Sequence, residues 1–169
     1  ECFAVMEPIS LEAEKNNIMP KLVTDKRVDG IIVMGRLSWE YLDYLNENCT
    51  IPIIYLDFCD NKKEADAVIS DSYYGAYRLA NYLFEMGHTR IGYIGTVLAT
   101  GSITDRYMGY LRAMMEHGCE VKPEWVIDDR EMEHGIIDPE KYICLPNKLP
   151  TAFVCNCDLA ASYLIRKLE

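Results

Sequence analysis

Residues 67–95 read AVISDSYYGAYRLANYLFEMGHTRIGYIG, and this stretch decides the fold class. The short β-rich run at 67–69 precedes a segment with the 3.6-residue apolar period of an amphipathic helix. Asp71 or Ser72 is the expected cap of that helix, and its apolar positions are Ala76, Leu79, Ala80, Leu83 and Met86. Gly87 is a typical residue to end a helix, and a second β-rich run follows at 91–94. A helix between two such runs predicts a βαβ unit within a parallel sheet.

The same alternation of strands and helices extends in both directions. The sequence predicts further strands at 4–6, 28–34, 51–56, 125–127 and 152–155. It predicts further helices at 17–26, 39–46, 102–117, 139–145 and from 158 onward, with Ser38, Ser102 and Asp138 as caps. These strands form either one sheet or two subdomains, and the polar segment 57–64 is the expected place for a change of sheet. The nearly all-apolar run 51–56 is typical of a strand covered on both faces.

Composition limits the classes of function that are open to the chain. The 169 residues correspond to about one domain. Apolar residues make up 50% of the chain, which argues against disorder. With 17 basic and 27 acidic residues, the net charge is −10 and neither half is basic, so the chain by itself is a poor nucleic-acid binder. The apolar runs fall short of the roughly 18 residues of a membrane span, and no membrane partner is expected.

Seven cysteines indicate the redox compartment. Their number is odd and no pair has C-x-x-C spacing, so we expect neither a disulfide framework nor a zinc knuckle. We interpret them as reduced thiols of a cytoplasmic protein, and we expect no metal or other cofactor. The chain lacks an initiator methionine and stops inside a predicted helix. We therefore expect it to be an excerpt of a longer protein.

Signatures of catalysis are weak, and we predict that the chain is not an enzyme. The segment 95–102 follows a strand and precedes a helix, as a phosphate loop does, but it lacks the required lysine. Neither G-x-G-x-x-G nor G-x-S-x-G occurs. The acid pairs at 128–129 and at 131 and 133 are expected to be solvated surface.

The carboxyl ends of the predicted strands are the candidate positions for a ligand, since ligands bind there in open parallel sheets. This rule selects the segments 34–36, 96–102 and 156–158 together with Asp57. The Asp57 carboxylate either accepts hydrogen bonds from sugar hydroxyls or caps the following turn. Arg106 lies one turn inside the helix after the segment 95–101. Its guanidinium either forms a forked contact with a hydroxyl pair or carboxylate, or pairs with a surface acid.

Six short motifs occur in a fixed order along the chain. They are VDGII at 28–32, IPIIYLD at 51–57, D-x-x-x-GA at 71–76, MGHTRIGYIG at 86–95, R-x-x-GY at 106–110 and PTAFVCNCD at 150–158. Over nearly the whole chain, this series resembles the effector-sensing domain of the LacI/GalR family of bacterial transcription regulators. The motif at 86–95 followed by the motif at 106–110 is the most specific part of the resemblance.

The resemblance implies a type I periplasmic-binding-protein-like α/β fold with two doubly wound parallel-sheet (Rossmann-like) subdomains, both incomplete in this chain. Residues 1–70 then belong to the N-terminal effector subdomain and residues 71–169 to the C-terminal one, with the crossover near 70–72. It also implies that the helix-turn-helix is absent from this chain, so that a missing N-terminal domain contacts operator DNA. The implied protein is a cytoplasmic homodimer that senses a small-molecule effector, a carbohydrate or a derivative of one, and responds allosterically.

The resemblance also implies roles for individual residues of this chain, position by position. Arg106 matches the family's ligand-clasping arginine, and Asp57 matches a strand-end position that lines the effector cleft in some members. Asp158 matches the acid of the family's Ala-Asn-Asp motif, but Cys157 replaces the asparagine and Asn156 replaces the alanine. A thiol is a weak hydrogen-bonding group. Either the effector is therefore unusual, or Asn156 substitutes from one residue away.

The resemblance does not indicate which effector the chain binds. Met34 and Ser70 fall where other members place polar or aromatic cleft residues, so the effector stays unidentified. Two other classes of protein remain as alternatives. The sugar-binding protein of a transport system shares the fold, although unpaired cysteines count against export. An enzyme on a doubly wound fold would need a catalytic constellation that the sequence lacks.

Overall fold

The computed structural model describes residues 2–35, 37–59, 65–132 and 135–169. The chain divides into two compact units, unit 1 (residues 1–69) and unit 2 (residues 70–169). Each unit contains a three-stranded parallel sheet. The predicted α/β class is therefore confirmed. The candidate position Arg36, the polar cluster 60–64 and the acid Glu133 lie outside the described residues.

The strands of unit 1 pair in the order in which they occur along the chain. Its elements are α1 (Leu11–Lys15), α2 (Lys21–Thr24), β1 (Ile31–Met34), α3 (Trp39–Asn48), β2 (Ile53–Leu56) and β3 (Asp66–Val68). β2 lies between β1 and β3 and is parallel to both. The register pairs Met34 with Leu56. The carboxyl ends of β1 and β2 therefore lie side by side.

Helix α3 packs on one face of the unit 1 sheet. Ser38 caps it, as predicted, because its side chain accepts a hydrogen bond from the backbone nitrogen of Tyr41 at 3.4 Å. The buried core of unit 1 consists of Val33, Tyr41, Leu42, Leu45 and Tyr55. Ile32 and Ile54, which alternate with the buried strand residues, are 66% and 37% exposed. The expectation that 51–56 is covered on both faces is therefore wrong within the described part of unit 1.

In the sheet of unit 2, the strands do not pair in the order in which they occur along the chain. Its elements are α4 (Ser72–Glu85), β4 (Ile91–Ile94), α5 (Gly101–Glu116), a 3-10 turn (Pro123–Trp125), β5 (Val126–Ile127), α6 (Pro139–Tyr142), β6 (Ala152–Cys155) and α7 (Asp158–Leu168). β4 is central and runs parallel to β5 on one side and β6 on the other. The chain thus winds first to one side of β4 and then to the other. A doubly wound sheet binds ligands at the carboxyl ends of its strands where this order switches.

Helices cover both faces of the unit 2 sheet. The first core cluster consists of Ala80, Ile91, Tyr93, Tyr110, Ala113, Met114 and Val154. The second consists of Ile94, Ile127, Ile143, Ala160 and Leu164. Tyr93 and Ile94 are neighbours in β4 and so point to opposite faces, with α4 and α5 on the first and α7 on the second. The hydroxyls of Tyr93 and Tyr110 donate to the carbonyl oxygens of Ile103 and Ile91 at 3.0 and 2.9 Å.

Two predictions in the first 26 residues are wrong. The structure has no strand at 4–6, where Val5 and Met6 are 67% and 82% exposed. An isolated apolar run forms a strand only where another strand pairs with it. The helix predicted at 17–26 shortens to α2, with Pro20 at its N-cap, and α1 precedes it. The left-handed backbone of Asn17 (φ 50°) lies between the two helices.

Two boundary predictions are corrected farther along the chain. The chain does not change sheets at 57–64, because β3 pairs with β2 and the units divide after Ile69. Ser102 does not cap α5, because the side chain of Thr100 accepts the hydrogen bond from Ile103 N at 3.2 Å. The predicted caps Asp71 of α4 and Asp138 of α6 are confirmed. No helix within the described residues is both long and apolar enough to cross a lipid bilayer.

Candidate functional site

A cavity of about 420 Å³ lies in unit 2 at the carboxyl end of β6. The end of β6 and the first turns of α4 and α7 form its wall, and α5 contributes one side chain. The lining residues are Ser70, Asp71, Ser72, Gly75, Ala76, Leu79, Arg106, residues 153–158 and Ala161. The cavity brings together the predicted site residues of unit 2, which are Ser70, Arg106, Asn156, Cys157 and Asp158.

Arg106 enters the cavity wall from the second turn of α5 and is half-buried. Within the described part of the chain, its guanidinium forms no side-chain hydrogen bond and no ion pair. The alternative in which Arg106 pairs with a surface acid is therefore not realised there. An unpaired guanidinium can make a forked contact with a carboxylate, a phosphate or two hydroxyls.

Asn156 directly follows β6 and is only 4% exposed. Its backbone nitrogen donates to the carbonyl oxygen of Ile94 at 2.8 Å, and its side-chain Nδ2 donates to Asp129 Oδ2 at 3.2 Å. An ionised carboxylate can only accept, so this bond orients the amide with its nitrogen toward Asp129. The other amide atom, Oδ1, is buried and has no hydrogen-bond partner among the described residues.

Asp129 is a fully buried carboxylate that follows β5. Arg130 binds it with two parallel bonds, from Nη2 to Oδ2 at 2.7 Å and from Nε to Oδ1 at 3.0 Å. The backbone nitrogen of Thr96, just after β4, donates to Oδ1 at 3.0 Å. Together with the bond from Asn156, these contacts tie the carboxyl ends of β4, β5 and β6 to one buried charge.

The ionisation of Asp129 depends on these donors. Burial acts to raise the pKa of its carboxyl, but the hydrogen bonds from Arg130, Thr96 and Asn156 and the charge of Arg130 act to lower it. The combined effect of the hydrogen bonds and the Arg130 charge exceeds that of burial, so the pKa of Asp129 lies below its ordinary value. Asp129 is therefore a carboxylate at neutral pH.

Asp129 corrects the expectation that the acids at 128–129 are solvated surface. Asp128 is exposed as expected, but Asp129 is not. Its partners Thr96 and Asn156 are 33 and 27 positions away in the chain. No local pattern distinguishes the two acids, so the sequence gives no signal for the buried one.

Ser72 is a second buried polar residue in the cavity wall, and its hydroxyl also has no hydrogen-bond partner among the described residues. It is the first residue of α4, but Asp71 caps the helix by accepting from Tyr74 N at 2.9 Å. The Ser72 hydroxyl is thus not needed for capping. The sequence identified Ser72 only as an alternative cap, so its place in the cavity was missed.

The remaining predicted residues of unit 2, Cys157, Asp158 and Ser70, also line the cavity. Cys157 is the N-cap residue of α7, but its thiol makes no capping hydrogen bond. Asp158 begins α7 and is exposed, where a carboxylate interacts favourably with the helix N-terminus. Ser70 is exposed, and its carbonyl oxygen accepts from Ser72 N at 2.8 Å.

Met34 and Asp57 belong to unit 1. Met34 is the last residue of β1 and is 61% exposed, while Asp57 directly follows β2. Asp57 adopts a left-handed backbone conformation (φ 66°), and its nitrogen donates to the carbonyl oxygen of Val68 at 2.9 Å. Its carboxylate makes no side-chain hydrogen bond within the described residues. The alternative role of turn cap is therefore not realised among them.

The chemistry of the unit 2 cavity is that of binding. Arg106 offers hydrogen-bond donors, and Leu79 and Phe153 add apolar surface. Among the described residues, no group of three or more histidines, cysteines, aspartates or glutamates is placed to hold a metal ion. The cavity therefore suits a small molecule that carries both polar groups and an apolar face.

Comparison with known proteins gives the family. Residues 80–169 match the family model of the periplasmic binding protein-like domain. The chain is 32% identical over 159 residues to the HTH-type transcriptional repressor PurR of Pasteurella multocida (strain Pm70), covering 90% of this chain and 45% of that protein. The chain thus spans about half the length of the curated relatives that it matches.

Solved structures of transcription regulators share the fold. A candidate ribose operon repressor from Burkholderia thailandensis superposes with a TM-score of 0.74 at 24% identity, covering 94% of this chain and 58% of that one. A sugar-binding LacI-family transcriptional regulator from Escherichia coli, complexed with phosphate, superposes with a TM-score of 0.63 at 22% identity, covering 93% and 56%. The chain therefore belongs to the periplasmic-binding-protein-like domain family, in the form of the LacI/GalR effector-binding domain.

Proposed function

We propose that this chain is the small-molecule-sensing part of a bacterial transcriptional regulator of the LacI/GalR type. The observation that carries the proposal is the unit 2 cavity, whose lining residues include Asn156 and Arg106, and the Arg106 guanidinium has no partner among the described residues. Its relatives named as transcriptional repressors support the class of protein. Units 1 and 2 are then parts of the N-terminal and C-terminal effector subdomains.

The proposed effector is a sugar or a sugar derivative. A pair of ring hydroxyls can accept hydrogen bonds from Arg106, while the C–H face of the ring packs on Leu79 and Phe153. The similar regulators described as a ribose operon repressor and as sugar-binding support this class of ligand. The proposed contacts in unit 2 are Arg106, Asn156, Cys157, Asp158 and Ser70. Asp57 and Met34 are the candidate effector-binding positions of unit 1.

The DNA-contacting part of the proposed regulator lies outside this chain. The net charge of −10 supports this assignment, because the phosphate backbone is bound mainly by clustered lysines and arginines. The regulator is proposed to act in the cytoplasm as a homodimer on operator DNA. The regulator then has two conformations that differ in operator affinity. Effector binding changes the balance between them only if the effector binds one conformation more tightly than the other.

The test is thermal unfolding of the chain with a panel of sugars, sugar phosphates and nucleobases. A ligand at about 100 times its Kd adds roughly 2.7 kcal/mol to the free energy of unfolding, which raises the Tm by about 5–10 °C for a chain of this size. The shift is expected to vanish in Arg106→Ala. Arg112→Ala is the matched control, because Arg112 lies on the same helix, outside the cavity, and pairs with Glu116 at 2.7 Å. An undiminished shift in Arg106→Ala contradicts the site.

A further inference from the structure

We propose that Asp71 and Asp158 make the unit 2 cavity selective for uncharged effectors, because they balance the positive charge of Arg106 and of two helix N-termini. A neutral sugar or nucleoside binds in such a cavity, and its phosphorylated form is disfavoured. The inference rests on the proposed function, since it specifies the charge of an effector for the same cavity. Both acids act through the electrostatic potential in the cavity, whether or not they touch the ligand.

Three charged side chains belong to the residues that line the cavity. They are the guanidinium of Arg106 and the carboxylates of Asp71 and Asp158. Within the described part of the chain, none of the three forms an ion pair with another side chain. The nearby pair of Asp129 and Arg130 is joined at 2.7 Å and adds no net charge. The charges of the three lining residues therefore act on a molecule that enters the cavity.

Two helix N-termini add positive charge at the same wall. α4, with 14 residues, and α7, with 11, both begin there. A helix N-terminus acts like about half a positive charge. Asp71 is the N-cap of α4 and accepts a hydrogen bond from Tyr74 N at 2.9 Å, while Asp158 is the first residue of α7. Each acid thus lies next to one of the two positive helix ends.

The sum of these charges is close to zero. Arg106 and the two helix N-termini supply about two positive charges, and the two carboxylates supply about two negative charges. Without the acids, a free guanidinium and two helix N-termini would form a site that favours phosphate groups. With the acids, a phosphate group that approaches Arg106 is also repelled by Asp71 and Asp158. A neutral hydroxyl pair can bind Arg106 without this repulsion.

The expected size of the effect follows from Coulomb's law. Asp71 and Asp158 are exposed, so water and salt screen their charges. In water, one unit charge changes the affinity for another at about 4 Å by roughly fivefold, and a phosphate group carries nearly two charges. A larger separation reduces the effect. Loss of either carboxylate is therefore expected to improve the binding of a phosphorylated compound by at least threefold at low salt.

The experiment is isothermal titration of the chain with pairs of compounds that differ by one phosphate group. D-ribose is compared with D-ribose 5-phosphate, D-glucose with D-glucose 6-phosphate, and adenosine with adenosine 5′-monophosphate. The measured quantity is the ratio of the two affinities within each pair. In the wild type, the compound that binds most tightly is expected to be a neutral one, and to bind at least threefold more tightly than its phosphate.

Asp71→Asn and Asp158→Asn each remove one negative charge, and each is expected to shift the ratio at least threefold toward the phosphate. Asparagine is also a good N-cap residue, so Asp71→Asn keeps the cap of α4. The shift is expected to shrink as the salt concentration rises from about 0.01 to 0.15 M, because the Debye length falls from about 30 to about 8 Å. A merely structural role of the acids would change both affinities together and would not depend on salt in this way.

Glu85→Gln is the matched control, because it changes the net charge of the chain by the same amount. Glu85 is an exposed acid at the end of α4 opposite to Asp71. With a rise of 1.5 Å per residue, the two ends of this helix are about 21 Å apart. A unit charge at that distance changes an affinity in water by less than about twofold. The ratio is therefore expected to stay within twofold of the wild type.

The outcomes distinguish this inference from the proposed function. If a phosphorylated compound binds the wild type as tightly as its neutral partner, or more tightly, the inference is overturned and the proposed function stands. An unchanged ratio in both aspartate variants, or an equal shift in Glu85→Gln, also overturns the inference alone. If no compound of these pairs or of the wider panel of sugars, sugar phosphates and nucleobases binds the wild type, both the proposed function and the inference are overturned.

Discussion

Gly109 on α5 lies so close to Tyr73 on α4 that a Cβ atom on Gly109 would overlap the Tyr73 carbonyl oxygen. The same Cβ would lie 3.0 Å from the backbone nitrogen of Tyr77. α4 and α5 therefore meet backbone to backbone at this point, and a residue without a side chain is required. Arg106 lies one turn before Gly109 on α5, so this contact also sets the position of the arginine in the cavity wall.

Gly109→Ala is expected to destabilise the chain, because the added methyl group has to push α4 and α5 apart. Overpacking typically costs about 1–3 kcal/mol, and a clash with backbone rather than a flexible side chain places the loss near 3 kcal/mol. Urea unfolding measures the change. Gly101→Ala is the control on the same helix, because nothing lies within 4 Å of its Cβ. Equal losses in the two variants would show that the helix contact does not require glycine.

The R-x-x-GY motif at 106–110 shows what a local pattern can and cannot predict. The helix that carries the motif was predicted, because apolar periodicity is a property of neighbouring residues. The reason for its glycine lies on α4, more than 30 residues earlier, and becomes visible only when the two helices pack. The strand–helix alternation and the carboxyl-end rule likewise indicated the end of β6, where the cavity lies, since both depend on chain order.

The part of the candidate site that sequence reasoning missed depends on distant partners. Asp129 is buried because Thr96, Arg130 and Asn156 surround it with donors, and two of these come from other strands. Thr100 rather than Ser102 caps α5, although both hydroxyls precede a helical pattern. Local propensity allows either residue to cap, and the chain path from β4 decides between them.

The free energy of unfolding at acidic pH is expected to depend on Asp129. Its native pKa is lowered, so its contribution to stability is fully present above the unfolded-state pKa of about 3.9. It is lost as the pH falls through the lower native pKa. The difference in unfolding free energy between the wild type and Asp129→Asn should therefore shrink below about pH 4.

Asp128→Asn is the matched control for this pH dependence, because Asp128 is adjacent and exposed. Its substitution is expected to change stability by less than about 0.5 kcal/mol. Denaturant unfolding from pH 2 to pH 7 compares the three proteins. A constant difference between the wild type and Asp129→Asn across this range would show that the Asp129 charge is not held by the native network.

Cys155 is expected to resist alkylation in the folded chain. Burial is the main cause that raises the pKa of its thiol to about 12. Only about one molecule in ten thousand then carries the reactive thiolate at pH 8. Iodoacetamide at pH 8 should modify the exposed Cys2, Cys59 and Cys144 and leave Cys155 unmodified, as read by peptide mass mapping. After denaturation, Cys155 should react with the others, and equally fast reaction before denaturation would contradict the raised pKa of its thiol.

Ser72→Ala is expected to separate stability from binding. The Ser72 hydroxyl is buried and has no partner in the described part of the chain, so its removal is expected to leave the free energy of unfolding unchanged or to raise it by about 1 kcal/mol. Thr100→Ala is the contrasting control, because the Thr100 side chain caps α5 and its loss should cost about 1 kcal/mol. If an effector bonds to the Ser72 hydroxyl, its affinity falls in the same variant that gains stability. A loss of stability in Ser72→Ala equal to that in Thr100→Ala would mean that the Ser72 hydroxyl already has a hydrogen-bond partner in the free protein.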